Sequence, residues 1–210
     1  MNLLDTYKRR KGPRGPLGEG RAETIEQAQF YPTDKSYMHY FLHIYDKLFE
    51  PFKDKQINFL EIGLWNLVNP GVSSSLHLWD DYFTHKNTKI FGVDICNPPP
   101  VSQREYSDRV QIHYFDINTI DESPLADEKY DIIIEDASHM LRDQRNFIKK
   151  FKHRLNPGGM FFIEDVASME IVQHLLKEDN ELFYIDSRNR ISELEQTSRF
   201  DDLLIVYFND

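Results

Sequence analysis

Seven short apolar runs alternate with helix-patterned stretches along most of this chain, and that alternation constrains the fold more than any other feature. The runs span residues 58–62, 89–95, 111–115, 131–135, 160–164, 182–185 and 203–208. Between them lie stretches of helical period such as 74–83 and 140–155, the second closed by Asn156-Pro157-Gly158-Gly159. Ahead of the first run, Tyr37, Tyr40, Phe41, Ile44, Tyr45, Leu48 and Phe49 recur at helical spacing. They predict a helix over 36–52, capped by Thr33 or Asp34 and ended at Pro51. Parallel strands need a crossover, usually a helix, so this alternation predicts a parallel sheet covered on both faces. The last two runs are read as a pair with an antiparallel final strand. The predicted class is α/β: a doubly wound, mostly parallel seven-stranded sheet.

Composition narrows the partners. Hydrophobic residues at 40% and aromatics at 13% of 210 residues are enough to bury a core. Thirty-five acids against 25 Lys and Arg give a net charge of −10, whose field repels a polyanion and argues against general nucleic-acid binding. The longest apolar run, 203–208, is strand-sized, far below the roughly 18 residues of a membrane span. No secretory hydrophobic region occupies residues 1–7, and the single cysteine, Cys96, excludes an intrachain disulfide framework. The expectation is a soluble, cytoplasmic domain.

The first thirty residues differ from the rest. They hold Gly12, Gly15, Gly18 and Gly20 with the cations Lys8, Arg9, Arg10, Lys11 and Arg14. We read 1–30 as a basic, Gly-rich arm and 31–210 as a single domain. The arm is either mobile, or folds over an anionic ligand, or contacts a neighbouring subunit of a homo-oligomer.

In a doubly wound sheet, ligands bind beyond the carboxyl ends of the strands, where strand order reverses. Glu61-Ile62-Gly63 ends the first run, followed by a loop to Gly71 and the serines Ser73, Ser74 and Ser75. Glycine there permits a tight turn, and a helix N-terminus near the serines offers N–H groups. The spacing is neither G-x-G-x-x-G nor a Walker pattern. Asp94 ends the second run and Asp116 follows the third; an acid at such a place can accept from a ribose diol. Each alone is equally a turn former or helix cap, but Glu61, Asp94 and Asp116 together favour a nucleoside-bearing ligand.

The fourth run ends in Glu135-Asp136-Ala137-Ser138-His139 and the fifth in Glu164-Asp165. If those strands are neighbours, Asp136, Glu164 and Asp165 converge and repel one another unless a cation neutralises them. Hard oxygen ligands suit Mg²⁺, Mn²⁺ or Ca²⁺. His139 lies within reach of such a site, and an imidazole's ordinary titration near neutrality suits a general base.

These segments resemble a known family. Glu61-Ile62-Gly63, the 74–83 helix with Trp79, and Gly92-Val93-Asp94 are similar to class I S-adenosylmethionine-dependent methyltransferases. Thr33-Asp34-Lys35, His39-Tyr40, 131–139 and 155–165 narrow the resemblance to the metal-dependent sugar O-methyltransferases of macrolide tailoring, the mycinamicin type. The resemblance implies a Rossmann-like methyltransferase fold, with Gly63 under the methionine moiety and Glu61 supporting its loop. It implies Asp94 at the ribose and Asp116 near the adenine, with Asp34 and Lys35 at the cofactor's amino-acid end. It implies Asp136, Glu164 and Asp165 as ligands of a divalent metal, most simply Mg²⁺. It implies Asp136 and His139 as the catalytic pair, His139 as general base. The implied acceptor is a hydroxyl of a sugar or glycosylated small molecule. The chain departs from the family in Leu64-Trp65-Asn66, where a second glycine is usual, and in Ala137, where glycine is usual. The rival readings are a non-catalytic cofactor-binding module of the same fold and a metal-dependent hydrolase.

Overall fold

A computed structural model describes residues 3, 33, 35, 39–64, 74–97, 106–188 and 201–210. Among them run seven strands: β1 Asn58–Ile62, β2 Lys89–Asp94, β3 Val110–Tyr114, β4 Tyr130–Glu135, β5 Leu155–Ile163, β6 Phe183–Asp186 and β7 Leu203–Asn209. They form one sheet in the order β3-β2-β1-β4-β5-β7-β6. The first five are parallel to one another, and β7 runs antiparallel between β5 and β6. The expected α/β architecture with its antiparallel last strand is the one observed. Strand order reverses between β1 and β4, so the carboxyl ends of those two strands flank a crevice.

The three isoleucines of β4 show why the strands are apolar throughout. Ile132 and Ile134 join the core on one face of the sheet, and Ile133 joins the core on the other. Helices α1 Phe41–Phe49 and α2 Ser74–Tyr82 cover the first face; α3 Leu141–Phe151 and α4 Met169–Glu178 cover the second. On α1, Tyr45 and Phe49 recur one turn apart and meet Phe162 of β5 at ring distances of 5.0 and 5.5 Å. Each such burial contributes roughly 1.5–3 kcal/mol. Tyr40, at the α1 N-cap, makes no side-chain cap bond, so packing is what fixes this helix.

Three boundaries differ from expectation. Helix α1 begins at Phe41, where Tyr40 N–H donates to the Asp202 carboxylate (3.4 Å) and ties the chain to the start of β7. Pro51 lies in a 3₁₀ turn, Glu50–Phe52, that ends α1. Helix α3 stops at Phe151, and after a second 3₁₀ turn Leu155 already pairs with Tyr130 in the sheet. The Asn-Pro-Gly-Gly segment therefore opens β5 instead of following a longer helix. Gly159 passes so near the main chain that an added Cβ would lie 3.0 Å from the Asp131 carbonyl oxygen. Helix α4 carries its own start signal, Ser168, whose hydroxyl oxygen accepts from Ile171 N–H (3.3 Å).

Of the N-terminal arm only Leu3 is described; it is buried against α1, its N–H donating to Asp46 (2.6 Å). The other residues named in the arm, together with Asp34, Trp65, Asn66, Gly71 and Ser73, lie outside the described residues. No described helix is long and apolar enough to cross a membrane.

Candidate active site

A cleft of about 440 Å³ opens over the carboxyl ends of β1 to β4. Gly63, Asp94, Phe115, Asp116, Glu135 and Asp136 all contribute to its wall. Gly63 sits at φ +88 and donates its N–H to Val93 O (2.9 Å), while Asp136 N–H donates to Ile62 O (2.8 Å). The chain leaving β1 therefore crosses the chain leaving β4 at close range. Asp94 accepts from Leu64 N–H (2.8 Å) and Cys96 N–H (2.7 Å), which fixes its carboxylate at the cleft wall. Asp116 caps the 3₁₀ segment Ile117–Glu122 by accepting from Asn118 N–H (2.9 Å).

Glu61 points away from the cleft into the core. One oxygen accepts from Ser75 Oγ (2.9 Å) and Trp79 Nε1 (3.1 Å), binding the start of α2 to β1. The other makes no hydrogen bond and faces the Lys35 ammonium at 3.5 Å. Burial pushes the Glu61 carboxyl up to about 7 against the opposing pull of Lys35. Glu135 is likewise buried and pushed up to about 8, with Asp136 adding to the effect.

At the next strand ends, Asp136, His139 and Asp165 each offer a ligand atom, all within 4.8 Å of one another. His139 Nδ1 lies 3.4 Å from Asp165 Oδ2 and Nε2 lies 3.7 Å from Asp136 Oδ1. Both His139 (φ 56) and Asp165 (φ 52) adopt left-handed backbone, which non-glycine residues rarely do. Two carboxylates at this spacing fit a divalent cation, with the imidazole beside them. Glu164 is turned inward: Tyr45 Oη donates to Oε1 (2.6 Å) and Lys35 Nζ donates to Oε2 (2.6 Å). Burial raises the Glu164 carboxyl well above its ordinary range, with Lys35 pulling the other way.

Lys35, expected at the cofactor's amino-acid end, has its ammonium among Glu61, Asp136 and Glu164, and only 2% of the residue is exposed. It contributes nothing to the cleft wall described above. His39 and Asp202 also belong to the site. His39 Nδ1 lies 3.1 Å from Asp202 and 3.3 Å from Asp165, so a second buried acid–imidazole pair backs Asp165. His39-Tyr40 stood out in the sequence as a motif, but nothing linked it to an acid at the start of β7.

The fold and this crevice define the class: the chain has the class I methyltransferase fold. The methyltransferase-domain family matches residues 100–202. In structure the chain is similar to the MycE methyltransferase of the mycinamycin biosynthetic pathway, solved in complex with Mg, SAH and mycinamycin VI. That likeness has a TM-score of 0.63 at 21% identity and covers 91% of this chain and 56% of the other. Among curated proteins the chain resembles mycinamicin VI 2''-O-methyltransferase of Micromonospora griseorubida, 29% identical over 152 residues. The match covers 71% of this chain and 37% of that protein. It also resembles 8-demethyl-8-alpha-L-rhamnosyl tetracenomycin-C 2'-O-methyltransferase of Streptomyces olivaceus, 30% identical over 65% of this chain and 35% of the relative. The chain thus spans little more than a third of the length of these curated relatives.

Proposed function

We propose that the chain is an S-adenosylmethionine-dependent, divalent-metal-dependent O-methyltransferase acting on a hydroxyl of a sugar or glycosylated small molecule. One observation carries this reading: Asp136 both lines the cleft and belongs to the group with His139 and Asp165. A methyl donor in the cleft and an acceptor at the acid–imidazole group meet across that residue. The names of the curated relatives support a sugar hydroxyl as acceptor.

Bound S-adenosylmethionine supplies a sulfonium methyl, and a bound divalent ion lowers the pKa of a hydroxyl and fixes its orientation. The chain's own residues do the rest. The Asp94 carboxylate accepts from ribose hydroxyls, since a carboxylate oxygen takes more than one hydrogen bond. Phe115 and Asp116 would lie on the adenine side of the cleft, and the main chain at Gly63 would support the methionine moiety. Asp136, Asp165 and Glu164 are the acids for the metal. Asp165 would hold the His139 ring through Nδ1, and Nε2 would take the hydroxyl proton as the oxygen gains the methyl, the methyl C–S bond breaking to leave SAH. The flanking carboxylates then stabilise the imidazolium.

Calorimetric titration with S-adenosylmethionine and SAH, with and without Mg²⁺ and beside an NAD control, tests the first half. Micromolar binding of both sulfur nucleosides and none of NAD is expected. A folded protein that binds neither would sink the reading. Methyl transfer to a panel of rhamnosyl and macrolide glycosides tests the acceptor class.

A further inference from the structure

Lys35 reaches the carboxyl edge of the sheet from outside the seven strands. Its Nζ donates to Glu164 Oε2 (2.6 Å) and to Asp136 Oδ2, and stands 3.5 Å from Glu61 Oε1. One ammonium thus lies at the ends of β1, β4 and β5 together. Lys35, Glu61 and Glu164 are each 2% exposed or less. Carboxylates this close and this dry repel one another unless a cation lies between them. Divalent cations contact carboxylate oxygen at about 2.0–2.6 Å. The ammonium nitrogen stands at the edge of that range from Glu164 Oε2.

We propose that Lys35 is a built-in cation that competes with the divalent metal for Asp136 and Glu164. The inference rests on the metal-dependent reading above and adds a device to it. Lys35 holds the two acids in place, and full coordination of the metal by Glu164 requires the ammonium to withdraw. Asp136 Oδ1, His139 and Asp165 stand on the other side of Asp136 from Lys35, so an incoming cation meets them first. Binding is then an exchange of one cation for another within a fixed anionic cage. Its consequence is a metal affinity held below what the acids alone would give.

The test uses the whole protein and Mn²⁺ titrated calorimetrically into wild type and Lys35→Met, a substitution that keeps the stem and removes the charge. The variant is expected to bind Mn²⁺ at least tenfold more tightly. Its thermal midpoint is expected to rise more on Mn²⁺ addition than that of wild type. Wild type alone gives an independent arm should the variant fail to fold. Lys35, located by mass spectrometry, is expected to be slow to acetylate without Mn²⁺ and several-fold faster when Mn²⁺ is saturating. Mn²⁺ binding with equal or weaker affinity in the variant, or Lys35 equally protected in both states, overturns the exchange and leaves the metal site standing. Absence of Mn²⁺ binding in both proteins removes the metal from the proposed function and the exchange with it. SAH titration in parallel reads the cofactor half separately.

Discussion

Gly63 and Asp136 meet main chain to main chain: a Cβ built on Gly63 would lie 1.9 Å from the Asp136 carbonyl oxygen and 2.8 Å from Ala137 Cα. Gly63 also holds φ +88, a conformation side chains resist. The cleft wall and the acid–imidazole group therefore share one crossing with no spare volume. Gly63→Ala is expected to cost about 3 kcal/mol or more, because backbone and not a flexible side chain must yield. The denaturant midpoint reads the cost, and SAH affinity should fall with it. An unchanged midpoint would refute the crossing as described.

The raised Glu61 carboxyl gives a pH dependence of known sign. Its folded pKa, about 7, exceeds the ordinary 4.5, so its contribution is fully present below pH 4.5 and lost as pH rises through 7. The loss is on the order of 3 kcal/mol. Thermal melts from pH 5 to 8.5 should show the wild-type midpoint falling by several degrees more than that of Glu61→Gln. Parallel curves would mean that Glu61 does not titrate in this range.

Tyr45 reaches from α1 to donate its hydroxyl hydrogen to Glu164 across the sheet edge. Tyr45→Phe keeps the ring contacts with Phe49, Trp79 and Phe162 and removes only that donor. A buried carboxylate that loses a donor costs about 1–3 kcal/mol. The expected drop in melting temperature is several degrees, with SAH affinity unchanged. A variant as stable as wild type would remove the hydroxyl from the account of the acid cage.

Asp136→Asn and His139→Ala should abolish methyl transfer while leaving SAH affinity within a few-fold of wild type. Turnover near wild type in either variant would exclude the proposed base and metal ligand. Loss of SAH binding in both would assign them to holding the cofactor instead of to the transfer step.

Much of this arrangement was legible along the chain, for local reasons. Asp131-Ile-Ile-Ile-Glu135 announces a strand buried on both faces, and residues following such a strand fall at the ligand edge whatever their identity. That logic puts Glu61, Asp94, Asp116 and Asp136 all at the ligand edge; the last three line one cleft, whereas Glu61 is buried in the core. It could not place Lys35, which stands 101 residues from Asp136 and 129 from Glu164, contacts that only the folded sheet creates. Nor could it pair His39 with Asp202, separated by 163 residues. Glu164 was readable as an acid at a strand end, but its inward turn depends on Tyr45, a residue whose helical spacing marked it simply as core. The end of α3 is not legible, because Asn-Pro-Gly-Gly reads as punctuation while the sheet recruits it beside Tyr130.

The left-handed backbone at His139 and Asp165 carries a consequence for how such a chain can be improved. Glycine would adopt either conformation without the roughly 1–2 kcal/mol that a side chain costs there. A search for thermostable variants would therefore converge on these two positions, and each gain would strip an imidazole or a carboxylate from the edge of the cleft. Robustness and chemistry are set against each other at those two residues, and a library screened on melting temperature alone would select against the site.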